Sequence, residues 1–70
     1  MPLVHYTLAK AYRERSQRGE AIKAVQRCLE LDPDFAEGHY LLGQLYQETG
    51  QLDLARLEME VFQEKKRKEP

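Results

Sequence analysis

The stretch CLELDPDFAEGHYLLG, Cys28 to Gly43, decides the fold. An apolar helical pattern runs into Asp32-Pro33, and another begins two residues later. Proline cannot continue a helix interior, because it has no N–H to donate and its ring clashes with the preceding turn. Asp34 is placed to accept backbone N–H groups at the start of the next helix, and Glu37 three residues on suits a capping box. The stretch therefore reads as a sharp helix–helix corner. The residues beyond the corner resemble the start of the chain.

Composition limits what such a chain can be. Its 70 residues allow one small domain, near the size at which a single core barely suffices. A third of the residues are charged, the net charge is −1, and Ala, Leu, Glu, Lys, Arg and Gln favour helix. The near-neutral balance argues against a nucleic-acid partner. No apolar run approaches a membrane span, and MPLVHYTLAKAY lacks the basic start and unbroken apolar stretch of a signal peptide. A cytoplasmic, soluble protein is the default expectation. The single cysteine cannot form an internal disulfide, so packing alone must hold the fold.

Shifted by about 34 residues, the sequence pairs with itself. His5 meets His39, Tyr6 meets Tyr40, Leu8 meets Leu42 and Tyr12 meets Tyr46. Glu14 falls on Glu48, Gln17 on Gln51 and Ala21 on Ala55; Ala9 matches Gly43 and Val25 matches Met59. Leu8 and Tyr12, like Leu42 and Tyr46, are four residues apart and share a helix face. Ala9 and Gly43 are small where helices must approach closely, with Ala21 and Ala55 across the contact. Val25 and Cys28, then Met59 and Phe62, continue the inner stripe. The pattern predicts four helices, about 3–16, 20–31, 35–48 and 53–67, with Gly50 free to take positive φ at a helix stop.

These residues resemble the tetratricopeptide repeat, whose signature is W-x2-L-G-x2-Y, then A-x3-F, then P. The first unit reads His5-x2-Leu8-Ala9-x2-Tyr12, Ala21-x3-Val25, Pro33; the second reads His39-x2-Leu42-Gly43-x2-Tyr46, Ala55-x3-Met59. Histidine replaces tryptophan twice, and the second unit lacks the closing proline. The resemblance implies an all-α fold, a right-handed superhelical stack of two helical hairpins. Residues 1–70 are expected to form one domain, with repeat one at about 2–35, repeat two at about 36–67 and a charged tail at 64–70.

The two ends differ. Ile22, Leu29 and Leu31 are expected to face the second unit, and their counterparts Arg56, Gln63 and Lys65 are polar, as a terminal cap requires. Leu3, Val4 and Ala11 lie where a preceding repeat would pack. The chain is accordingly expected to be the last pair of a longer array or a self-associating small repeat protein. Leu54, Leu57 and Val61 replace Glu20, Lys23 and Arg27, turning a polar outer face apolar in the second unit only. Scattered surface leucines are common, but alignment at helical spacing suggests a contact.

The resemblance also implies a concave groove lined by the first helix of each unit and used for extended or helical peptides. Tyr6, Lys10 and Arg13 would line it from the first unit and Tyr40, Gln44 and Gln47 from the second, with Glu14 and Glu48 at the rim. The tyrosines offer flat amphipathic anchors, and Lys10 and Arg13 could meet a carboxylate. The alternative is an ordinary solvated face. Lys10 alone does not reproduce the carboxylate clamp of chaperone-binding members, because Gln44 stands at its counterpart. The terminal KKRK run is a solvated helix end and too short for an RNA-reading repeat.

His5, His39 and Cys28 are the residues that tempt a chemical reading. The histidines occupy positions for large core aromatics, and Cys28 lies among core positions where a thiol is inert. No Cys-x2-Cys or His-x3-His pair offers a zinc site, and no glycine-rich phosphate loop is present. The sequence thus predicts a non-enzymatic protein- or peptide-binding module or scaffold segment without cofactor, metal, nucleic-acid or membrane partner. The second reading is a homodimer formed through Leu3 and Val4 or the Leu54–Leu57–Val61 stripe.

Overall fold

The computed structural model describes residues 1–68. Four helices follow one another: α1 (Pro2–Glu14), α2 (Arg18–Leu31), α3 (Ala36–Glu48) and α4 (Leu52–Arg67). Pro2 opens α1, where a missing N–H costs nothing. The charged tail continues α4 to Arg67, with Lys65, Lys66 and Arg67 in the last turn, where cations oppose the helix's negative end. Its last residues, Glu69 and Pro70, lie outside the described residues.

Both hairpins turn on the same backbone device. Ser16 (φ 61°) and Gly50 (φ 80°) occupy equivalent positions, one repeat apart, in the left-handed region. Around them, Ser16 N–H donates to Arg13 O at 2.9 Å and Gln17 N–H to Tyr12 O at 2.9 Å. Gly50 N–H donates to Gln47 O at 3.2 Å and Gln51 N–H to Tyr46 O at 2.8 Å. This is the Schellman closure, which satisfies the last carbonyls of a helix. It stops α1 two residues short of the expected end at 16, because a left-handed residue cannot extend the helix.

The corner at Asp32-Pro33 forms differently from the expected capping box. Phe35, not Asp34, is the N-cap of α3, and no side chain caps that end. Asp34 N–H instead donates to the Asp32 carboxylate at 3.1 Å, an Asx turn. The Asp34 carboxylate is held by Lys65 Nζ from α4. Because α3 starts at Ala36 with Phe35 as its N-cap, Asp34 lies one residue ahead of the capping position.

Each hairpin packs along its length, α1 on α2 and α3 on α4, while α2 on α3 joins the two. Ala9, Ala21, Val25, Cys28 and Leu45 are fully buried, and Leu41, Leu42, Tyr46 and Ala55 complete the core. At Gly43 an added Cβ would lie 2.9 Å from Met59 Cε and 3.1 Å from its sulfur. The equivalent positions in the first hairpin carry Ala9 and Val25. A larger side chain on one helix is thus matched by a smaller one on the other, which keeps core volume constant. Gly38 lets α2 close on α3, since its Cβ would lie 2.9 Å from Leu29 Cδ2.

Two packing expectations change. Ile22 and Leu29 pack against the core as expected, but Leu31 is exposed, because α2 ends there and the chain turns away. Leu8 is 43% exposed although its counterpart Leu42 is only 4% exposed. The face of α3 that holds Leu42 is covered by α2, and no described helix lies on the same face of α1.

Candidate peptide-binding surface

The sequence places Tyr6, Lys10 and Arg13 at intervals of four and three residues on α1, and Tyr40, Gln44 and Gln47 at the same intervals on α3. Two contacts tie these helices side by side in the same direction. Near their N-terminal ends, the Tyr6 ring meets Phe35 edge-on, with centroids 5.2 Å apart and planes at 63°. Near their C-terminal ends, Arg13 grips Glu48: its Nε donates to both carboxylate oxygens at 3.1 Å, and Nη2 reaches Oε2. Arg18, from the start of α2, adds an Nε bond to Glu48 Oε1 at 3.1 Å.

This arrangement redistributes the expected roles. The Arg13 guanidinium is engaged by Glu48, so Lys10 remains as the cation beside the tyrosines. Hydrogen bonding to Arg13 holds the Glu48 carboxyl below its ordinary range, and the same bond raises Arg13. Lys10 Nζ sits 5.2 Å from the centroid of the Tyr6 ring, within cation–π range. Burial pushes the Tyr6 phenol up, helped by the nearby Glu37. Tyr40, in contrast, is 43% exposed and leans on Phe62 of α4, centroids 5.0 Å apart at a 49° tilt. Gln44 is half-buried and Gln47 exposed. The surface therefore offers a guarded tyrosine with a cation, an open tyrosine and two amides.

Other side-chain pairings had weaker signals in the sequence. His39 is held at both ring nitrogens, Nδ1 2.8 Å from Glu58 Oε1 and Nε2 2.8 Å from Pro33 O. A carbonyl oxygen only accepts, so Nε2 carries a proton. The expected packing role for His39 thus includes a brace between the corner and α4. His5 cannot copy it, because Ala24 stands where Glu58 does. That Ala-to-Glu exchange, opposite two histidines one repeat apart, was the available clue. Cys28 is fully buried, and desolvation raises its thiol pKa. Among the described residues no three His, Cys, Asp or Glu side chains gather at metal-binding distance. No described helix is long and apolar enough to cross a membrane.

The residues considered for self-association divide into two patches. Leu3 and Val4 lie exposed on α1; Leu54 and Leu57 lie exposed on α4, with Val61 half-buried beside them. α1 and α4 do not touch, so the patches are separate surfaces.

Paired helices closed by one turn geometry, stacked through the second helix of one pair and the first of the next, define a helical-repeat protein. A family model described as TPR repeat matches residues 9–50. The chain is also 37% identical over 54 residues to the TPR repeat-containing protein PA0015 of Pseudomonas aeruginosa, covering 77% of this chain and 51% of that protein. It thus spans about half the length of the curated relative it matches. The chain belongs to the tetratricopeptide repeat family, whose members generally serve as protein–protein interaction modules.

Proposed function

We propose that this chain is a non-enzymatic interaction module that takes a peptide segment of a partner protein across α1 and α3. The observation that carries this reading is the pair of tyrosines one repeat apart, with Lys10 against Tyr6 and Tyr40 open beside Gln44. Braced helices present these groups at fixed spacing, which lowers the ordering cost of binding. An acidic peptide side chain or terminus suits Lys10, an apolar or aromatic one suits Tyr40, and the glutamines suit peptide amides. Because Arg13 is committed to Glu48, it supports the surface and does not contact the peptide.

The test is fluorescence anisotropy with a labelled peptide selected by display against the whole chain. Tyr40→Ala and Lys10→Ala should each weaken binding about tenfold or more, the loss of one aromatic or charge-assisted contact. Both substitutions should leave the far-ultraviolet circular dichroism unchanged. Equal affinity in both variants would sink the reading. Self-assembly is a second reading, favoured by the exposure of Leu3, Val4, Leu54 and Leu57.

A further inference from the structure

The chain carries three sulfur atoms, in Met1, Cys28 and Met59, and the fold treats each differently. Met1 is 83% exposed and Cys28 is fully buried. Met59 of α4 is half-buried, which leaves part of its side chain open to solvent.

The packed part of Met59 lies against Gly43 of α3. A Cβ built at Gly43 would stand 2.9 Å from Met59 Cε, 3.1 Å from Sδ and 3.3 Å from Cγ. The end of the methionine side chain thus fills the space that any other residue at 43 would need for itself. A thioether suits such a space, because it is unbranched, polarisable and demands no hydrogen bond. The equivalent positions of the first hairpin hold Ala9 and Val25, both fully buried hydrocarbons. The repeat therefore places an oxidisable atom at this helix contact in the second hairpin and not in the first.

Hydrogen peroxide converts such a thioether to its sulfoxide. A lone pair of Met59 Sδ attacks one peroxide oxygen, the O–O bond breaks, and the departing hydroxide takes the proton from the transferred oxygen to leave as water. Sulfur is oxidised by two electrons and the peroxide is reduced. The product is polar and pyramidal. Ala55 and Phe62, the neighbours of Met59 along the inner stripe of α4, have no side-chain hydrogen to donate to the new oxygen. Keeping that oxygen unpaired in the contact is costly, and turning it to water draws the side chain off Gly43. Phe62 carries the disturbance further, since its ring supports Tyr40 with centroids 5.0 Å apart. Cys28 is the poorer target: burial excludes the oxidant, and the raised thiol pKa leaves little thiolate to react. Met1 is open but lies outside the core.

We infer that Met59 is a site of reversible oxidation by peroxide, and that its sulfoxide loosens α4 from α3. The inference concerns the contact between these two helices and does not rest on the peptide-surface reading.

The test is peroxide treatment of the whole folded chain, followed by peptide mapping with mass spectrometry and by urea unfolding of the product. Met1 should gain oxygen first and Met59 next, while the chain is still folded. The Met59 sulfoxide should raise the unfolding equilibrium constant about tenfold or more, the effect of one unpaired polar group in a packed contact. Native-state hydrogen exchange should quicken most in α4. Met59→Leu, a swap of similar volume, should lose no stability under the same treatment. That variant keeps Met1 and Cys28, so a loss equal to that of wild type would place the effect at those residues and overturn the inference. Reducing the oxidised wild type with methionine sulfoxide reductases should restore its stability, a readout that stands even where Met59→Leu folds poorly. A loss that persists after mass spectrometry shows the sulfoxide removed would overturn the inference too. So would a Met59 that gains oxygen only once the chain is unfolded, or a Met59 sulfoxide as stable as the untreated chain.

Discussion

The two hairpins share a backbone plan and differ in what covers them. α3 buries Leu41, Leu42 and Leu45, whereas Thr7, Leu8 and Ala11 at the same positions of α1 are exposed. The repeat sets where a side chain points; the neighbouring helix sets whether it is buried. Matched substitutions at Leu42 and Leu8 give the largest test of this difference. Leu42→Ala should cost about 2–4 kcal/mol, since a buried leucine leaves a cavity. Leu8→Ala should cost no more than about 0.5 kcal/mol, as for an exposed site. Urea unfolding at low micromolar chain measures both. Equal losses would show that α1 is covered as fully as α3.

The hairpin turns sharpen the comparison, because geometry is shared and only the residue differs. Ser16 holds φ 61° where Gly50 holds 80°. A left-handed backbone costs a side-chain-bearing residue about 1 kcal/mol, partly offset because glycine frees the unfolded chain. Ser16→Gly should therefore stabilise the chain by about 0.5 kcal/mol, and Gly50→Ala should destabilise it by about 1 kcal/mol. No neighbouring atom lies within 4 Å of a Cβ built at Gly50, so its penalty is purely conformational. Opposite shifts in the urea midpoint are the expected result. If Ser16→Gly is destabilising, the serine side chain contributes something beyond the turn.

Much of this fold is legible in the sequence. The 34-residue repeat locates both hairpins and the corner, and the positive φ of Gly50 is expected from its place after a helical run. Ser16 gives no such warning, since serine alone carries no left-handed signal. The expected Asp34 cap does not form because α3 begins one residue later, with Phe35 as its N-cap, and the Asp34 carboxylate meets Lys65, 31 residues away. That long-range contact depends on tertiary placement, which residue types do not reveal. The candidate surface is legible as a set of positions, but its charge state is not. Arg13 reads as a free cation in the sequence, and only the fold sets Glu48 of the next repeat against it. The exposure of the α1 face likewise depends on which helices are present to pack there.

The Arg13–Glu48–Arg18 cluster gives the smallest and most specific test, since Glu14 occupies the corresponding position in the first hairpin. Hydrogen bonds from Arg13, and then from Arg18, lower the folded pKa of Glu48 from 4.5. A carboxylate with a depressed folded pKa contributes its stability fully above the unfolded value and loses it as pH falls toward the folded one. All three side chains are partly solvent-exposed, so screening limits the contribution to about 1 kcal/mol or less. Glu48→Gln should lower stability slightly at pH 7, and its difference from wild type should begin to shrink as pH falls through the ordinary carboxylate value of 4.5 and vanish below the lowered folded pKa. Raised salt should shrink the difference at neutral pH. The Asp34 carboxyl, also lowered by its bond to Lys65, leaves a residual acid dependence in that variant. Glu14→Gln serves as the matched control, because no described helix sets a pair of arginines against Glu14 as α1 and α2 do against Glu48. A Glu48→Gln deficit that persists undiminished in acid would assign its effect to side-chain packing and not to the carboxylate charge.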